Sequence, residues 1–337
     1  MAKAIVKTTT GPGGVELLDV TTPPPGPGQV QIRVAVAGIC GTDLHIMEGE
    51  WPTDPPVVMG HELSGTVVEC GAGVPREWVG SGVVSEVLIT DGTCENCARG
   101  RPTLCFNRRA IGRLADGAFT QFVNVPATNL HRVPDELNLV DAALAEPLAC
   151  VLGALLFPPV VSPADRVLVL GPGTIGLLAA QVGRASGGAV TVLGTPRDGS
   201  RMGVARELGF PAIGDVEPVH GAEIEERFDV VIECAGAAAA ANLALRACVK
   251  GGAYVQLGIF GGSVQVEMDQ FCLKGMSFVT NYGASPHALD KALSLLASGE
   301  IAAQPMISKV AALDEWESIF TQTRSGAGLK YMFDPSL

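Results

Sequence analysis

The pattern of hydrophobic and polar positions divides the chain near Asp165. Before that point, segments such as Val30-Gln31-Ile32-Arg33-Val34 alternate apolar and polar residues, as strands with one buried face do. Further β-rich blocks, separated by glycine and proline turns, occupy residues 63–68, 83–89 and 119–125. The first 150 or so residues therefore predict a small β barrel or sandwich with irregular loops.

Beyond Asp165, short runs that are apolar throughout alternate with stretches of helical composition. The runs occupy residues 167–170, 190–193, 230–232 and 254–257. Helical composition is found at 177–182 and 237–249, and after about Ser285 a less regular region includes a predicted helix over 287–297. Strands that are apolar on both faces and separated by helices indicate a parallel sheet covered on both sides. We therefore predict an α/β protein in which a β-rich unit is joined to a doubly wound parallel sheet.

Composition narrows the class of protein. A chain of 337 residues is long for one hydrophobic core, which favours two domains. The 47% of apolar and 17% of charged residues are typical of a well-packed globular enzyme. A net charge of -12 and the lack of a lysine cluster argue against nucleic acid or an anionic membrane as a partner.

The sequence predicts neither a membrane span nor a secretory leader. The longest apolar tract, residues 142–161, is interrupted by Glu146 and three prolines, and the start of the chain lacks the long apolar core of a signal peptide. Of nine cysteines, three cluster at metal-ligand spacing and the rest are scattered, which suits a reducing compartment. We expect a soluble, cytoplasmic protein.

A glycine-rich turn marks a dinucleotide site. Residues 171–176 fit GxGxxG directly after an apolar strand and at the start of a helix, where glycines let backbone approach a pyrophosphate at the helix N-terminus. The candidate cofactor-binding residues of this turn are Gly171, Gly173, Thr174, Ile175 and Gly176.

The end of the second strand of this unit bears on the choice of cofactor. An NAD site usually has an acidic residue there, but this chain has Thr195 and Arg197, with Arg201 nearby. A hydroxyl beside arginines accommodates a 2'-phosphate, so NADP is favoured. In the alternative, both arginines are surface charges and Asp198, displaced by a few residues, serves NAD.

Two clusters of residues have the chemistry of metal ligands. Cys40, His61 and Glu62 lack regular spacing, as expected of a catalytic metal site that keeps one position open for substrate or water. Glu146 lies in an apolar segment where an unpaired charge would be costly. It either binds the same metal or hydrogen-bonds to the water there, unless it is a solvated glutamate at a helix start.

The second cluster comprises Asp91, Cys94, Cys97 and Cys105. Two short loops that present sulfur in this way indicate a closed tetrahedral zinc site, which would stabilise a lobe over about 91–105 that has little core of its own. In the alternative, three reduced cysteines pack together in a loop. A loop rich in Gly, Arg and Asn offers them little apolar shelter.

With these residues identified, the whole chain resembles the zinc-dependent medium-chain dehydrogenases, in their sorbitol (polyol) dehydrogenase-like branch. The most specific segment, Gly60 to Val74, has the GHExxGxxxxxGxxV signature of that family. The resemblance implies a GroES-like catalytic domain over 1–148, a Rossmann NAD(P)-binding domain over 149–284, and a C-terminal return to the catalytic domain over 285–337. Such enzymes are expected to form homodimers or homotetramers, which the sequence does not distinguish.

The resemblance also implies roles for the site residues. Cys40, His61 and Glu62 would hold a catalytic zinc, with Glu146 as a ligand or close neighbour. Asp43 would orient the zinc-bound histidine, as a hydrogen-bond partner of a metal ligand commonly does. One departure concerns the structural zinc lobe, where Asp91 stands in place of the first of the family's four cysteines. A second is Gly80-Ser81-Gly82, which replaces a usually charged turn and predicts a looser one.

For the reaction, the resemblance implies that Thr42 touches the substrate oxygen and that His45 ends a proton relay through the nicotinamide ribose. Gly258 and Ile259 would place backbone beside the nicotinamide. Candidates for lining the substrate cleft are Trp51, Phe106, Arg109 and Phe119, although each is equally compatible with a place in the core or on the surface.

The expected function is reversible oxidation of a secondary alcohol, a polyol or sugar alcohol, to a ketone with NAD(P). Within the same fold, a threonine or butanediol dehydrogenase and a simple secondary-alcohol dehydrogenase are alternatives. An alternative of a different class is a zinc- and nucleotide-binding protein without turnover.

Overall fold

The computed structural model describes residues 1–214 and 221–337. In chain order, its strands are Ala2–Lys7 (β1), Val15–Val20 (β2), Gln29–Gly38 (β3), Val57–Val58 (β4), Glu62–Cys70 (β5), Gly82–Ser85 (β6), Leu88–Ile89 (β7), Arg109–Ala110 (β8), Phe122–Pro126 (β9), Leu130–Arg132 (β10), Arg166–Leu170 (β11), Ala189–Leu193 (β12), Ala212–Ile213 (β13), Phe228–Glu233 (β14), Cys248–Gln256 (β15), Ser277–Thr280 (β16), Ile307–Ala311 (β17) and Lys330–Phe333 (β18). Its helices are Gly41–Met47 (α1), Glu95–Ala98 (α2), Leu139–Ala142 (α3), Ala145–Leu155 (α4), Thr174–Ala185 (α5), Gly199–Glu207 (α6), Gly221–Ile224 (α7), Ala238–Ala247 (α8), Asp269–Lys274 (α9), Pro286–Ala297 (α10) and Trp316–Ser325 (α11).

The N-terminal unit is built around strand β3, which pairs antiparallel with β5, β9 and β18. The strand order of its main sheet is β10-β6-β5-β3-β18-β17, and a smaller sheet has the order β2-β1-β4. Val30, Ile32 and Val34 of β3 are buried, as their alternation with polar residues predicts. The predicted strand over 83–89 is interrupted between β6 and β7, and the strand predicted from Phe119 begins at Phe122.

The second unit is a parallel sheet of order β13-β12-β11-β14-β15-β16, in which every described pair of neighbours is parallel. Both faces of β11 are covered. Val167 and Val169 belong to the hydrophobic cluster that includes α5 and α10, whereas Leu168 and Leu170 pack in the cluster that includes α8. The continuous apolar runs of the sequence are therefore strands buried on both sides.

Helix α4 connects the two sheets. It packs against α5 of the parallel sheet, against α10, and against β5 of the N-terminal unit. The end of the chain then pairs with the N-terminal unit, because Met332 and Phe333 of β18 lie opposite Gly38 and Ala37 of β3. The division into domains over 1–148, 149–284 and 285–337 stays a prediction. No helix within residues 1–214 or 221–337 combines the length and the apolarity needed to span a bilayer.

Candidate active site

The first turn of α1 presents three of the predicted site residues. The chain leaves β3 and turns at Cys40, whose backbone N–H donates a 2.9 Å hydrogen bond to Oδ2 of Asp43. This bond satisfies one of the free donors at the start of the helix. Thr42 Oγ1 lies 3.6 Å from Cys40 Sγ. The short helix therefore fixes the thiol and the hydroxyl side by side.

The predicted catalytic ligands converge. One ligand atom from each of Cys40, His61 and Glu62 lies within 4.8 Å of the other two. Glu62 begins β5 opposite Gly38, the last residue of β3, so the two strands bring the thiol to the imidazole and the carboxylate. Gly60, just before them, has φ +90°, and a Cβ there would lie 2.4 Å from the ring of Phe119. Glycine is therefore required at this turn.

A buried oxygen atom of Asp43 bears on whether a metal ion fits among Cys40, His61 and Glu62. Its Oδ1 is buried without a hydrogen-bond partner among the described residues and lies 3.7 Å from Nδ1 of His61. Burial disfavours a charged imidazole, but Asp43 and Cys40 outweigh it and raise the pKa of His61 well above its usual value. An Nδ1–H directed at Asp43 leaves Nε2 of His61 available to a metal. A thiol, an imidazole and a carboxylate are ligands that Zn²⁺ prefers, so these residues fit the metal.

Glu62 has a partner that the sequence did not indicate. Lys330 of β18 places Nζ 2.5 Å from Glu62 Oε2 and donates a second hydrogen bond of 2.9 Å to the carbonyl of Ile39. Only 4% of the lysine side chain and 1% of the glutamate side chain are exposed. Burial works to lower the pKa of Lys330, but Glu62 and Cys40 raise it above its ordinary value. This lysine therefore stays charged beside the cluster.

Glu146 lies in the first turn of α4 and is buried, so the alternative of a solvated glutamate is wrong. Its Oε1 lies 3.5 Å from Sγ of Cys150. Burial raises the pKa of the carboxyl, an effect that the nearby His61 partly offsets. Glu146 borders the same cavity as the three converging ligands but does not belong to their cluster. Its direct binding to a metal stays a prediction.

His45 lies near the end of α1, where its surroundings hold the ring in place. Nδ1 lies 2.5 Å from Oε2 of Glu50, and the ring stacks on Trp51 with a centroid distance of 6.3 Å. The imidazole is partly exposed. A histidine that is hydrogen-bonded to a carboxylate and reaches solvent can pass a proton outward. The role of His45 in a proton relay stays a prediction.

The glycine turn has the geometry that the GxGxxG pattern predicts. Gly171 follows β11 with φ +98°, and Gly173 caps the N-terminus of α5. A Cβ on Gly176 would lie 1.9 Å from the carbonyl oxygen of Gly171, so only glycine permits this close packing of strand and helix. Thr174 and Ile175 form the first turn of the helix, where backbone N–H groups can receive a phosphate.

A buried carboxylate that the sequence analysis missed supports the neighbouring turn. Glu233, at the end of β14, accepts hydrogen bonds of 2.9 Å from the N–H groups of Ala235 and Gly236. The side-chain amide of Gln256 donates both to Glu233 and to the carbonyl of Gly258. This network fixes the backbone at Gly258, one of the residues predicted to lie beside the nicotinamide.

The candidate phosphate-binding residues after β12 differ in exposure and in the hydrogen bonds that they already make. Thr195 donates from its N–H and its hydroxyl to Oδ2 of Asp198, at 2.9 and 2.7 Å. Arg201 is partly buried and donates from Nε to the carbonyl of Gly328 at 2.8 Å. Arg197 is exposed. The carboxylate of Asp198 is thus engaged locally, and Arg197 is the more accessible of the two arginines proposed for a 2'-phosphate.

A cavity of about 670 Å³ joins the two units. Cys40, Thr42, His61, Glu62 and Glu146 line it from one side, and Ile175, Leu257, Gly258 and Ile259 line it from the other.

Among the four residues expected to line the substrate cleft, only Trp51 borders this cavity. Phe119 is fully buried in the core, Phe106 is 70% exposed, and Arg109 lies outside the cavity wall. The sequence analysis did not identify Arg113, which does line the cavity.

The second cluster also assembles. One ligand atom from each of Asp91, Cys94, Cys97 and Cys105 lies within 4.8 Å of the others, and no disulfide joins the cysteines. Asp91 accepts hydrogen bonds from the N–H groups of Cys94 and Thr93 and from the amide of Asn107. These bonds, led by that of Cys94, lower the pKa of Asp91. An ionised carboxylate beside three thiols fits a zinc ion.

Family profiles and relatives agree with this architecture. The profile of the alcohol dehydrogenase GroES-like domain matches residues 26–135, and that of zinc-binding dehydrogenases matches residues 174–298. A sorbitol dehydrogenase of Halalkalibacterium halodurans is 35% identical, with 99% of each chain covered. A D-arabitol-phosphate dehydrogenase of Enterococcus avium is 32% identical over 98% of this chain and 97% of that protein.

Solved structures show the same fold. A structure described as a zinc-binding dehydrogenase from Sinorhizobium meliloti 1021 bound to NADP superimposes with a TM-score of 0.91 at 32% identity, and 99% of each chain is covered. The predicted fold class, a GroES-like β-rich unit with a Rossmann parallel sheet, is therefore confirmed.

The two ligand clusters predict the metal content. Elemental analysis of the purified protein should find up to two zinc ions per chain, one for each cluster. Cys40→Ser should remove one and Cys94→Ser the other, because each deletes a thiolate from a different cluster. Cys272→Ser, at an exposed cysteine outside both clusters, is the control and should retain both. A single zinc that survives Cys94→Ser but not Cys40→Ser would show that the Asp91 cluster holds none.

Proposed function

The chain belongs to the zinc-dependent medium-chain dehydrogenase superfamily, in its polyol dehydrogenase-like branch, and we propose that it oxidises a secondary hydroxyl of a polyol to a ketone while reducing a nicotinamide dinucleotide. The observation that carries this proposal is the shared cavity. It brings the Cys40 cluster and Thr42 of one unit to Ile175 and Gly258 of the other. The threonine, butanediol and simple-alcohol alternatives are not favoured over this function.

We propose that Cys40, His61 and Glu62 hold the catalytic zinc, with Glu146 beside it. Zinc at this position would act as a Lewis acid that lowers the pKa of the substrate hydroxyl. Asp43 fixes the orientation of His61 through its otherwise unpartnered Oδ1, and Lys330 balances the negative charge that Cys40 and Glu62 bring together. Asp91, Cys94, Cys97 and Cys105 are proposed to hold a second, structural zinc.

Thr42 and His45 are proposed to move the proton. Thr42 lines the cavity next to Cys40, so its hydroxyl can accept a hydrogen bond from the substrate oxygen. His45 is three residues further along α1, which places both side chains on one face of the helix. Glu50 lies 2.5 Å from Nδ1 of His45 and would hold the imidazole in place as it receives a proton.

The remaining walls of the cavity position the reactants and exclude water. A bound nicotinamide ring would supply the hydride acceptor at this wall. Gly258 and Ile259 offer backbone and Ile175 an apolar side chain at the cofactor side. Leu88, Ile111 and Val151 make much of the remaining wall apolar, which keeps water from the reacting carbon.

NADP is proposed as the preferred cofactor, with NAD as the alternative. The only carboxylate just after β12, Asp198, already accepts two hydrogen bonds from Thr195. Arg197 is exposed at the same turn and can approach a 2'-phosphate. Arg201 adds positive charge, but its Nε already donates a hydrogen bond to the carbonyl of Gly328.

Activity measured on a panel of candidate substrates, together with variants of Thr42, tests the proposed function. Absorbance at 340 nm should rise when the zinc-loaded protein receives NAD(P) and a suitable member of a panel of polyols and secondary alcohols. Thr42→Ala should lower kcat by about 100-fold or more, because general acid–base steps contribute on this scale. Thr42→Ser, which keeps the hydroxyl, should retain most of the activity. Zinc content and cofactor affinity should not change in either variant.

Two outcomes would contradict parts of this function. Full activity in Thr42→Ala would remove the proposed proton path. No turnover across the panel, with zinc and cofactor both shown to be bound, would instead favour a binding protein without catalysis.

Arg197 tests the cofactor preference. The wild-type protein should bind NADP more tightly than NAD, and Arg197→Ala should weaken NADP binding by about tenfold through loss of a charge-assisted hydrogen bond. Its affinity for NAD should stay within about twofold. Titration of protein fluorescence with each cofactor measures both constants. A preference for NAD that persists in Arg197→Ala would overturn the proposal.

We also propose that the protein is a homo-oligomer, a dimer or tetramer, in which strand β16 contacts a second copy. In the described part of the chain, β16 forms one edge of the parallel sheet. Phe278 on this strand, Leu273 on the adjoining α9, and Met268 just before it are all exposed. An exposed strand edge flanked by apolar side chains is a surface that association would bury.

Two similarly exposed leucines test this interface. Leu273 is 76% and Leu337 is 73% exposed. Leu273 belongs to α9, whose Phe271 packs on Phe278 of β16 with a centroid distance of 5.5 Å, whereas Leu337 follows β18. The wild-type mass measured by light scattering should be two or four times the 34.7 kDa of one chain. Leu273→Glu should shift it towards the monomer, because it places a charge in the apolar contact. Leu337→Glu should leave it unchanged. A wild-type monomer would contradict the proposal.

The redox state of the cysteines bears on the cellular location. All nine are free thiols, and the two ligand clusters need theirs reduced to bind a metal. We propose a cytoplasmic location on this ground, with a small-molecule alcohol as the partner.

A further inference from the structure

A run of arginines lies in the segment that joins the Asp91 cluster to the cavity. Between Glu95 and Asp116 the sequence contains no acidic residue, and it contains the arginines Arg99, Arg101, Arg108, Arg109 and Arg113. The whole chain carries a net charge of -12, so this segment is a local exception that the overall charge conceals.

Two of them contact the aromatic wall of the cavity. Arg113 lines the cavity, and its Cζ lies 5.6 Å from the ring centroid of Trp51. Arg108 places Cζ 4.9 Å from the ring centroid of Tyr282. Trp51 and Tyr282 both border the cavity. Cation–π contacts of this kind hold a guanidinium at a defined place.

These two arginines differ from others of the run in their partners. Arg99 lies 2.7 Å from Glu95, and Arg109 lies 3.9 Å from Asp54. Within residues 1–214 and 221–337, no carboxylate lies within 4.0 Å of the Arg113 or Arg108 side chain.

Each of the two donates instead to a main-chain carbonyl, Arg113 to Pro52 at 2.8 Å and Arg108 to Cys105 at 2.9 Å. A guanidinium has several N–H donors in one plane, and a single carbonyl satisfies only part of them. In the part of the chain that the structure describes, the guanidinium groups of Arg113 and Arg108 are thus left without a carboxylate partner.

The cavity wall carries groups of both charge signs. Glu62 and Glu146 border it beside the proposed metal site, and Arg113 is the one arginine or lysine among the described residues that line it. A substrate with one anionic end would be repelled by the carboxylates and attracted by the arginine. Its neutral, hydroxyl-bearing end would then face Thr42.

We propose that Arg113, assisted by the positive charge of Arg108, binds a phosphate monoester at the end of the substrate remote from the carbon that is oxidised. The substrate class is therefore a polyol phosphate rather than a neutral polyol. A phosphate dianion matches this site because its oxygens accept charge-assisted, bidentate hydrogen bonds from guanidinium groups. This inference rests on the proposed function, whose site it extends.

Matched substrate pairs test the inference. For a pentitol or hexitol and its terminal phosphate monoester, the wild-type protein should show a kcat/KM at least about tenfold higher for the ester, as expected when a charged group gains a hydrogen-bonded partner. Arg113→Ala should abolish this preference, while kcat/KM for the neutral polyol changes less than about threefold. Arg113→Lys keeps the charge but not the planar pair of donors, so it should retain only part of the preference.

Arg109→Ala is the matched control, because it removes an arginine of the same run that lies outside the cavity wall. It should keep the full preference for the ester. A polyol carboxylate of similar length should be a weaker substrate than the phosphate ester; equal or better turnover would overturn the assignment of phosphate. Thermal unfolding of each variant, with a midpoint close to that of the wild type, shows that the fold is intact.

The outcomes separate this inference from the proposed function. If the wild type turns over neutral polyols and their esters equally, or if Arg113→Ala and Arg109→Ala lose the preference alike, the phosphate site is wrong and the function stands. If neither is turned over, calorimetry of ester binding to the protein with its cofactor decides the inference. Binding that is lost in Arg113→Ala would support the anion site without the catalytic function, and no binding would overturn both.

Discussion

The buried ion pair between Glu62 and Lys330 is the interaction on which the candidate site depends. Two charges that are almost fully removed from solvent are stable only when each has partners, and breaking such a pair costs about 3–5 kcal/mol. Lys330 belongs to the last strand, whereas Glu62 begins β5, so this pair holds the end of the chain against the cluster of proposed metal ligands. The hydrogen bond from Lys330 to Ile39 extends the same contact to the residue before Cys40. The first and last parts of the chain thus form one site.

Around this pair, the described side chains next to the proposed metal ligands have partners for nearly all of their buried polar atoms. Asp43 caps α1 with one carboxylate oxygen and keeps the other directed at His61. That second oxygen is the one buried side-chain atom without a partner among the residues described. Because buried polar atoms are normally hydrogen-bonded, the exception indicates which imidazole nitrogen faces Asp43 and which can face a metal.

Much of this arrangement could be predicted from the sequence. The parts that could not be predicted share one physical reason, which is that no sequence pattern indicates their contacts. The GxGxxG turn and the Cys94-to-Cys105 cluster are local patterns, and their geometry follows from spacing alone. Cys40 and His61 are drawn together by the pairing of β3 with β5, which the motif resemblance anticipates. Lys330, Glu233 and Arg113 gave no such signal. The partners of Lys330 and Arg113 lie far away in the sequence, and no periodicity indicates such a contact. Those of Glu233 are backbone N–H groups and one side-chain amide, which no pattern of side chains indicates.

This difference between residues placed by local sequence patterns and residues placed by distant contacts explains why the reaction is easier to infer than the substrate. The reacting end of the cavity uses residues fixed by strand pairing and helix capping, and the relatives share this architecture. Other parts of the cavity wall are formed by side chains from loops, such as Trp51 and Tyr282, with Arg113 and Arg108 stacked upon them. Loop residues on a rigid scaffold can change without disturbing the core, and they therefore determine which molecule is held there. A cavity with carboxylates near the proposed metal and an unpaired guanidinium elsewhere on its wall orients a substrate by charge, before any hydroxyl is recognised. Specificity in this protein is therefore best sought in the electrostatic asymmetry of the cavity rather than in its volume.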